Sequence, residues 1–216
     1  MRWAIFDVDG TLFPPPSMEK KFIVYMLRKG SLPIKNMSHY LLIGIFKTLQ
    51  RNYNEGFRSN KYYLKHLPAR SIQSEALKFV QREIWPTISQ KGIHRIKSCR
   101  KKGLKILIMS GSPDFLAQPL TDFIHPDYII SSEMEIRNDF FTGRLEGLHP
   151  YGQRKAEILQ RLHTQLDIDL QNSIVFANHH SDVPHMLLFG EAIAVNPTKK
   201  LGEFAKKNHW KIEQWH

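Results

Sequence analysis

The sequence has a single cysteine, Cys99, so no disulfide can form within the chain. It also lacks long hydrophobic runs, because the longest, Tyr40 to Phe46, is interrupted by Gly44 and falls far short of the roughly 18 residues that cross a bilayer. Acidic residues at positions 7 and 9 come too early for a signal peptide. These features exclude a disulfide-rich secreted scaffold and a membrane-spanning protein, and we expect a cytoplasmic protein.

Acidic residues are scarce, since 20 Asp and Glu stand against 31 Lys and Arg and leave a net charge of +11. The segment 14–90 holds 13 basic residues and four acids, so it carries +9 of this surplus. Such a surplus is typical of proteins that meet a polyanion, an anionic membrane or a phosphorylated substrate. The uneven distribution of charge predicts that 14–90 is a separate module.

Short apolar runs alternate with amphipathic stretches along most of the chain. The predicted strands are Trp3–Asp7, Lys105–Met109, Tyr128–Ile130, Ser173–Ala177 and Glu191–Val195, and the predicted helices are 93–102, 114–123, 155–166 and 183–189. This alternation is typical of an α/β fold with a doubly wound, Rossmann-like parallel sheet. The segment 14–90 has no clear strand, so we predict a helical cap there, inserted after the first strand of a core formed by 1–13 and 91–216.

Two acids, Asp7 and Asp9, end the first predicted strand in the string FDVDGTLF. They are two residues apart, so in an extended chain their carboxylates point to the same side. Such a pair suits Mg²⁺ binding combined with acid–base chemistry, because Mg²⁺ prefers oxygen ligands and the less tightly held carboxylate can exchange a proton. For either acid alone, the alternative is a solvated loop residue beside the turn at Gly10.

The string resembles the first motif, Asp-x-Asp-x-Thr, of the haloacid dehalogenase-like superfamily, here with Thr11 as its last residue. Ser110 in ILIMSGSP matches the second motif, and Lys155 in GQRKAEIL matches the family's lysine. The string VFANHHSDVPHM is similar to the fourth motif, with Asn178 in place of the first acid and Asp182 as the second. FTGRLEG and the tail AVNPTKKLGEFAKKNHWKI resemble the phosphoserine-phosphatase-like branch, which carries a helical cap between the first two motifs.

The resemblance implies a Mg²⁺-dependent phosphatase, a phosphoric monoester hydrolase that forms an aspartyl-phosphate. Asp7 would be the nucleophile, and Asp9 the general acid and then the general base. The resemblance further places the substrate against Thr11, Ser110, Gly111 and Lys155, and Mg²⁺ against Asp7, Asp9, Asn178 and Asp182. Because an amide at position 178 removes a full negative charge beside the cation, we predict weaker metal binding, with Asp182 compensating.

Several of these residues also have a structural interpretation. Ser110 could be a helix N-cap with Asp114 in the first turn, and Lys155 could open an amphipathic surface helix. For the two histidines 179 and 180, a polar loop position is favoured over tuning of the pH response or contact with the substrate. The order and spacing of the motifs argue against coincidence.

The alternative function is a catalytically weak family member whose basic cap binds an anionic membrane or nucleic acid. The intact Asp7, Asp9, Ser110 and Lys155 argue against it, and no nucleic-acid-binding motif accompanies the basic residues. A phosphomutase would use the same aspartyl-phosphate. The sequence does not indicate an oligomeric state.

The cap is expected to select the substrate, because caps close over such sites. It has an apolar stripe at helical spacing and several aromatic residues, which are Ile34, Met37, Leu41, Ile45 and Leu49, and Phe22, Tyr25, Tyr40, Phe46, Tyr53, Phe57, Tyr62 and Tyr63. One interpretation rests the stripe on an anionic bilayer, with a lipid phosphate as substrate and a membrane-peripheral location. The favoured one packs the stripe within the cap, with a small phosphorylated metabolite as substrate.

Overall fold

A computed structural model of the chain describes residues 1–50 and 57–216. Its centre is a six-stranded parallel sheet in the order β3-β2-β1-β6-β7-β8. The strands of this sheet are β1 (Trp3–Asp7), β2 (Lys105–Pro113), β3 (Tyr128–Ser132), β6 (Ile174–Ala177), β7 (Glu191–Val195) and β8 (Lys211–Glu213). All five predicted strands are present, which confirms the doubly wound α/β class. The edge strand β8 was not predicted.

A two-stranded antiparallel hairpin, β4 (Met134–Arg137) and β5 (Phe140–Leu145), follows β3 and also was not predicted. Among the described residues, the main α-helices are α1 (Met18–Arg28), α2 (Ile34–Gln50), α3 (Ala69–Phe79), α4 (Gln90–Lys101), α5 (Asp114–Ala117), α6 (Thr121–Ile124), α7 (Gln153–Leu162), α8 (Val183–Met186) and α9 (Lys199–Lys207). The predicted helical stretch 114–123 is present, but it is divided into the two short helices α5 and α6. A 3₁₀ turn at Gln118–Leu120 separates α5 from α6, because its Pro119 has no N–H to continue the α-helical hydrogen bonds.

The sheet is buried on both faces, as its apolar strands predict. Successive side chains of β1 point to opposite faces, so Ala4 and Phe6 join one hydrophobic cluster while Trp3 and Ile5 join the other. No residue of β1 is more than slightly exposed. The central strand that ends in Asp7 is therefore held rigidly from both sides.

The segment after β1 is helical, as predicted, and contains α1, α2 and α3. It shares one continuous hydrophobic cluster with the sheet, since the Phe22 ring lies 5.3 Å from that of Phe79 and 5.6 Å from that of Phe115, at the start of α5. The segment also pairs with the hairpin, because the His66 N–H donates to the Phe141 carbonyl at 2.8 Å. Tyr53, one of the aromatic residues noted above, lies outside the described residues.

The favoured prediction that the apolar stripe of α2 packs within the cap is wrong. Met37 packs against the core, but Ile34, Leu41, Ile45 and Leu49 are 88%, 50%, 53% and 80% exposed. Over residues 1–50 and 57–216, no helix is long and apolar enough to cross a bilayer.

Candidate active site

The predicted catalytic residues meet where the strand order reverses, at the carboxyl ends of β1, β2 and β6. This is the place where doubly wound sheets bind ligands. A cavity of about 580 Å³ opens there. Of the predicted site residues, its lining includes Asp7, Asp9, Gly111, Lys155, Asn178 and Asp182. The other two, Thr11 and Ser110, are fully buried beside them.

Asp7, the last residue of β1, is held through both carboxylate oxygens. Lys155 Nζ donates to Oδ1 at 2.6 Å, and the Thr11 hydroxyl donates to Oδ2 at 3.0 Å. Burial raises the pKa of Asp7 to about 6, and the Lys155 ammonium opposes this rise. Asp7 is thus fixed in place, and it gives up its proton less readily than an exposed aspartate.

Asp9 follows in a tight turn and also has both oxygens bound. The Met18 N–H donates to Oδ1 at 2.7 Å, and the Ser112 hydroxyl donates to Oδ2 at 2.8 Å. Burial raises the pKa of Asp9, against the effect of these two hydrogen bonds. A carboxyl group that keeps its proton more readily is suited to act as a general acid.

The turn at Gly10 requires a glycine for two independent reasons. Its φ of +88° lies where other residues are strained, and a Cβ there would lie 2.0 Å from Asn178 Nδ2. The absent side chain therefore leaves the space that the Asn178 amide occupies beside Asp9.

Lys155 links two acids at the start of α7. Its Nζ donates to Asp7 Oδ1 at 2.6 Å and to Asp182 Oδ1 at 2.9 Å, with all three side chains nearly inaccessible. Burial lowers the pKa of Lys155, but Asp182 and Asp7 outweigh it and raise the pKa above the ordinary value. The ammonium therefore stays charged inside the site, where it can balance the negative charge of a phosphoryl group.

Asp182 is already engaged by other groups of the chain. Its Oδ1 accepts from Lys155, and its Oδ2 accepts from the His179 N–H at 3.2 Å. Burial raises the pKa of Asp182, but Lys155, His185 and the hydrogen bond from His179 together outweigh it and hold the pKa below the ordinary value. The predicted part of Asp182 in metal binding stays a prediction, and its observed contact is with the lysine.

One oxygen of Asp7 and one of Asn178 both lie near the Thr11 hydroxyl. Thr11 Oγ1 lies 3.0 Å from Asp7 Oδ2 and 3.5 Å from Asn178 Oδ1. These are hard oxygen donors, the type that Mg²⁺ prefers, so the donor set fits this ion with one carboxylate and one amide. In the described part of the chain, no three His, Cys, Asp or Glu residues cluster in a way that could hold a metal.

The second motif presents its backbone and the second of its serines to the cavity. Ser110 is fully buried and its Oγ accepts from the Ser112 N–H at 3.1 Å, whereas Gly111 and Ser112 line the cavity. The N-cap interpretation of Ser110 is wrong, because Ser110 lies within β2 and Pro113 is the N-cap residue of α5. Ser112, which binds Asp9, was missed although it lies in the quoted string ILIMSGSP.

His149 is a second site residue that the sequence did not single out. Ser132 Oγ lies 2.8 Å from the Gly111 carbonyl and 2.6 Å from His149 Nδ1. Because the carbonyl only accepts and Ser132 has one proton, the two bonds together assign the proton of His149 to Nδ1. Burial, with help from Lys61, lowers the pKa of His149 to about 3, so its ring is neutral. Nε2 is then a hydrogen-bond acceptor in the wall of the cavity.

The helical segment closes the other side of the cavity and brings in charged residues that lie far away in sequence. Glu19 is paired with the fully buried Lys61, whose Nζ lies 2.6 and 2.5 Å from the two carboxylate oxygens. Arg58 stacks on the Tyr151 ring at 3.8 Å from its centroid. With Glu19 neutralised by Lys61, Lys20 and Arg58 give this wall of the cavity a positive charge.

The two histidines of the fourth motif have different surroundings. His179 lines the cavity, and its Nδ1 accepts from the Ser181 N–H at 3.1 Å, which caps the short 3₁₀ turn at His180–Asp182. His180 packs edge-on against Phe204, with 6.0 Å between ring centroids. Each of the two rings therefore makes a structural contact, as the favoured interpretation of these histidines as polar loop residues expects.

Comparison with known proteins agrees with this geometry. The sequence model of the haloacid dehalogenase-like hydrolases matches residues 4–187. A histidinol-phosphatase of Neisseria meningitidis is 26% identical over 97% of this chain and 96% of its own length. A Streptomyces azureus protein named for inhibition of morphological differentiation is 27% identical over 61% of this chain, which spans only 47% of that relative.

Solved structures show the same fold. A Bordetella pertussis protein of unknown function superposes with a TM-score of 0.82 at 19% identity, covering all of this chain and 99% of its own. A phosphoserine phosphatase solved as a phospho-aspartyl intermediate analogue gives a TM-score of 0.66 at 20% identity, covering all of this chain and 93% of its own. The chain belongs to the haloacid dehalogenase-like hydrolase family, and its likeness to the phosphoserine phosphatases is confirmed.

Proposed function

We propose that this chain is a Mg²⁺-dependent phosphatase that hydrolyses a phosphate monoester through an aspartyl-phosphate on Asp7. The observation that carries the proposal is the pair of buried carboxylates, Asp7 and Asp9, that face one cavity with different partners. Burial raises the pKa of both groups, but Asp7 is bound by the Lys155 ammonium, which opposes the rise, whereas Asp9 is bound by the uncharged Met18 N–H and Ser112 hydroxyl. Two carboxyl groups in such different environments suit two different roles.

The first step would be attack of an Asp7 carboxylate oxygen on phosphorus. A bond forms between that oxygen and phosphorus while the bond from phosphorus to the substrate's ester oxygen breaks. Protonated Asp9 gives its proton to the leaving oxygen, so the product leaves as a neutral alcohol. Covalent capture on Asp7 divides one difficult displacement into two easier ones.

The second step releases the phosphate. Asp9, now a carboxylate, takes a proton from a water molecule whose oxygen attacks phosphorus. The bond between phosphorus and the Asp7 oxygen breaks, and inorganic phosphate leaves. Both acids return to their starting states, so the cycle needs only substrate and water.

The remaining groups would position and neutralise the phosphoryl oxygens, which is most of what phosphoryl transfer requires. Lys155 Nζ is 2.6 Å from Asp7 and supplies a fixed positive charge. The Gly111 and Ser112 backbone lines the same wall, next to the acceptor on His149. Mg²⁺ held by the Asp7 carboxylate, the Asp9 backbone carbonyl and the side chains of Asn178 and Asp182 would add charge neutralisation when bound.

A small phosphorylated molecule is the proposed substrate class. The positive wall formed by Lys20 and Arg58 favours an anionic substrate, and the names of two relatives, histidinol-phosphatase and phosphoserine phosphatase, describe action on small phosphate monoesters. Nε2 of His149 would accept a hydrogen bond from a hydroxyl or amino group near the phosphate. The cavity is lined by Tyr40, Phe57 and Tyr151 as well, which can pack against the organic part.

The test is hydrolysis of para-nitrophenyl phosphate with and without Mg²⁺. We expect turnover that requires Mg²⁺, that Asp7→Asn abolishes, and that Asp9→Asn lowers by about 10²–10⁴-fold. Asp122→Asn, at an exposed aspartate, is the matched control and should behave as the native chain. Acid-quenched enzyme should carry phosphate on Asp7, detectable by mass spectrometry.

A folded native chain that turns over neither this substrate nor a panel of small phosphate monoesters would contradict the proposal. It would favour the alternative of a catalytically weak binding protein. Asn178→Asp then distinguishes a site disabled at residue 178 from a cap that rejects these substrates, since it introduces the carboxylate that the family has at that position. Activity regained by this variant would locate the defect at residue 178.

A further inference from the structure

The helix α2 presents a continuous apolar surface to solvent. At 100° per residue, the exposed large apolar side chains of this helix fall within an arc of about 140°. They are 50–88% exposed and comprise Ile34, Leu41, Leu42, Ile45, Phe46 and Leu49. We call this set the apolar face of α2. An apolar cluster of this kind on one helix face is typical of an interaction surface, whereas isolated exposed apolar residues are ordinary.

The apolar face of α2 is not needed to hold the helix in place. The opposite side of α2 packs inward, where the Tyr40 ring lies 5.4 Å from that of Tyr63 and 5.7 Å from that of Phe57. Asn36 Nδ2 donates to the Lys65 carbonyl at 2.7 Å, and Asn60 Nδ2 donates to the Tyr40 carbonyl at 2.8 Å. Residues 1–50 and 57–216 therefore leave the exposed side of α2 uncovered.

The sequence that contains this surface is rich in positive charge and has no negative charge. Residues 20–50 contain six Lys and Arg and no Asp or Glu. Lys35 lies within the arc itself and is exposed, and Lys20 and Arg28 are exposed on α1, the preceding helix of the chain. A second copy of the chain seated on this face would bring these like charges together, which is unfavourable. An anionic surface with an apolar interior matches both properties.

We propose that the apolar face of α2 docks the protein on an anionic lipid bilayer. An amphipathic helix with apolar residues on one face and lysines at its border lies in the plane of the membrane interface. The buried side of the same helix supplies Tyr40 to the cavity wall, and Lys20 lines the cavity from α1. Docking would therefore hold the cavity within about one helix diameter, roughly 10 Å, of the lipid headgroups.

Sedimentation with lipid vesicles tests this directly. We expect the native chain to sediment with vesicles that contain phosphatidylglycerol and to stay in solution with pure phosphatidylcholine vesicles. The variant Ile45→Glu/Leu49→Glu should lower partitioning by about tenfold or more, because membrane burial of each side chain contributes more than a tenfold preference. Leu187→Glu is the matched control, since Leu187 is 58% exposed on the sheet domain and should have no effect.

A second pair of variants tests the charge contribution. Lys35→Glu should weaken binding by at least about fivefold, whereas Lys207→Glu, at an exposed position on α9, should not. Raising the salt concentration should weaken binding of the native chain in the same direction. All substituted side chains are exposed, so each variant should retain the melting temperature of the native chain. Asp7→Asn should bind vesicles as the native chain does, which separates docking from catalysis.

Three outcomes would overturn the proposal. The native chain could remain in solution with anionic vesicles. The Ile45→Glu/Leu49→Glu variant could sediment as well as the native chain, which would show that charge alone causes binding. Light scattering could show a native dimer that this variant converts to a monomer, which would assign the apolar face of α2 to a second copy of the chain.

Discussion

Replacing Asn178 with aspartate is the perturbation that tests the metal site most directly. Thr11 Oγ1 lies 3.0 Å from Asp7 Oδ2 and 3.5 Å from Asn178 Oδ1, so these two oxygens are at most about 6.5 Å apart. Asn178→Asp would place a second full charge at that distance from Asp7. The side chain keeps its size, so the change is almost purely electrostatic.

The size of the effect follows from Coulomb's law. Two unit charges at about 6.5 Å and an effective dielectric constant of about 20 repel by about 2.5 kcal/mol. Mg²⁺ bound between the two carboxylates removes this repulsion, so the same energy is available to strengthen Mg²⁺ binding. We expect the dissociation constant for Mg²⁺ to fall by between about tenfold and nearly a hundredfold.

Calorimetric titration of Mg²⁺ and thermal melting with and without Mg²⁺ give readouts that are independent of activity. Without metal, Asn178→Asp should melt at a lower temperature than the native chain, because the two carboxylates repel. With saturating Mg²⁺ it should gain more in melting temperature than the native chain gains. Asn208→Asp, at an exposed position, carries the same change in net charge and should leave the Mg²⁺ response unaltered.

Equal Mg²⁺ affinity in the native chain and in Asn178→Asp would refute the reasoning. It would mean that residue 178 does not face the cation. An increase in affinity without any loss of stability in the metal-free protein would refute the distance argument alone, because the two carboxylates would then be too far apart to interact.

Three further predictions follow from the site. Lys155→Met should destabilise the fold by about 3–5 kcal/mol in urea unfolding, because it leaves two buried carboxylates unpaired. Lys78→Met, which breaks a surface ion pair, should cost less than about 1 kcal/mol. Equal losses of stability in the two variants would contradict the burial argument. Gly10→Ala should lower the free energy of unfolding by at least about 1–2 kcal/mol because of the positive φ alone. A melting temperature equal to that of the native chain would show that the turn can relax. In EDTA, the folded state keeps the Asp7 proton at pH values where the unfolded chain has lost it. The stability that protonated Asp7 contributes to the fold is therefore present at low pH and is lost as the pH rises towards about 6. The native chain should therefore lose stability relative to Asp7→Asn across that range, and a constant difference would contradict the raised pKa.

Local sequence was sufficient for the central sheet and for the acidic end of its first strand. Apolar runs such as Trp3–Asp7 are buried on both faces, so hydrophobicity and short length identify them without knowledge of their neighbours. The hairpin β4–β5 and the edge strand β8 were not predicted, because exposed residues such as Phe140 and Lys211 interrupt any continuous apolar run.

The order of the motifs predicted Asp7, Asp9, Lys155 and Asn178 as neighbours. Asp7, Asp9 and Asn178 lie at or just after the ends of β1 and β6, whereas Lys155 lies in the first turn of α7. The hydrogen-bond partners of these residues depend on the tertiary structure and could not be predicted from the sequence. No quoted motif contains His149 or Ser132, which lie 17 residues apart, yet His149 lines the cavity and Ser132 fixes its ring.

The sequence by itself determined which residues could be apolar, charged or catalytic, because these are properties of single side chains and of their local spacing. It could not determine which side of α2 would be covered, since Leu41 and Met37 are equally apolar and only packing distinguishes them. The tertiary structure decided that Glu19 is neutralised by Lys61, because a charge pair between helices depends on how distant segments fold together. The chemical groups of the site are therefore a property of the local sequence, whereas their environment depends on contacts between residues far apart in the chain.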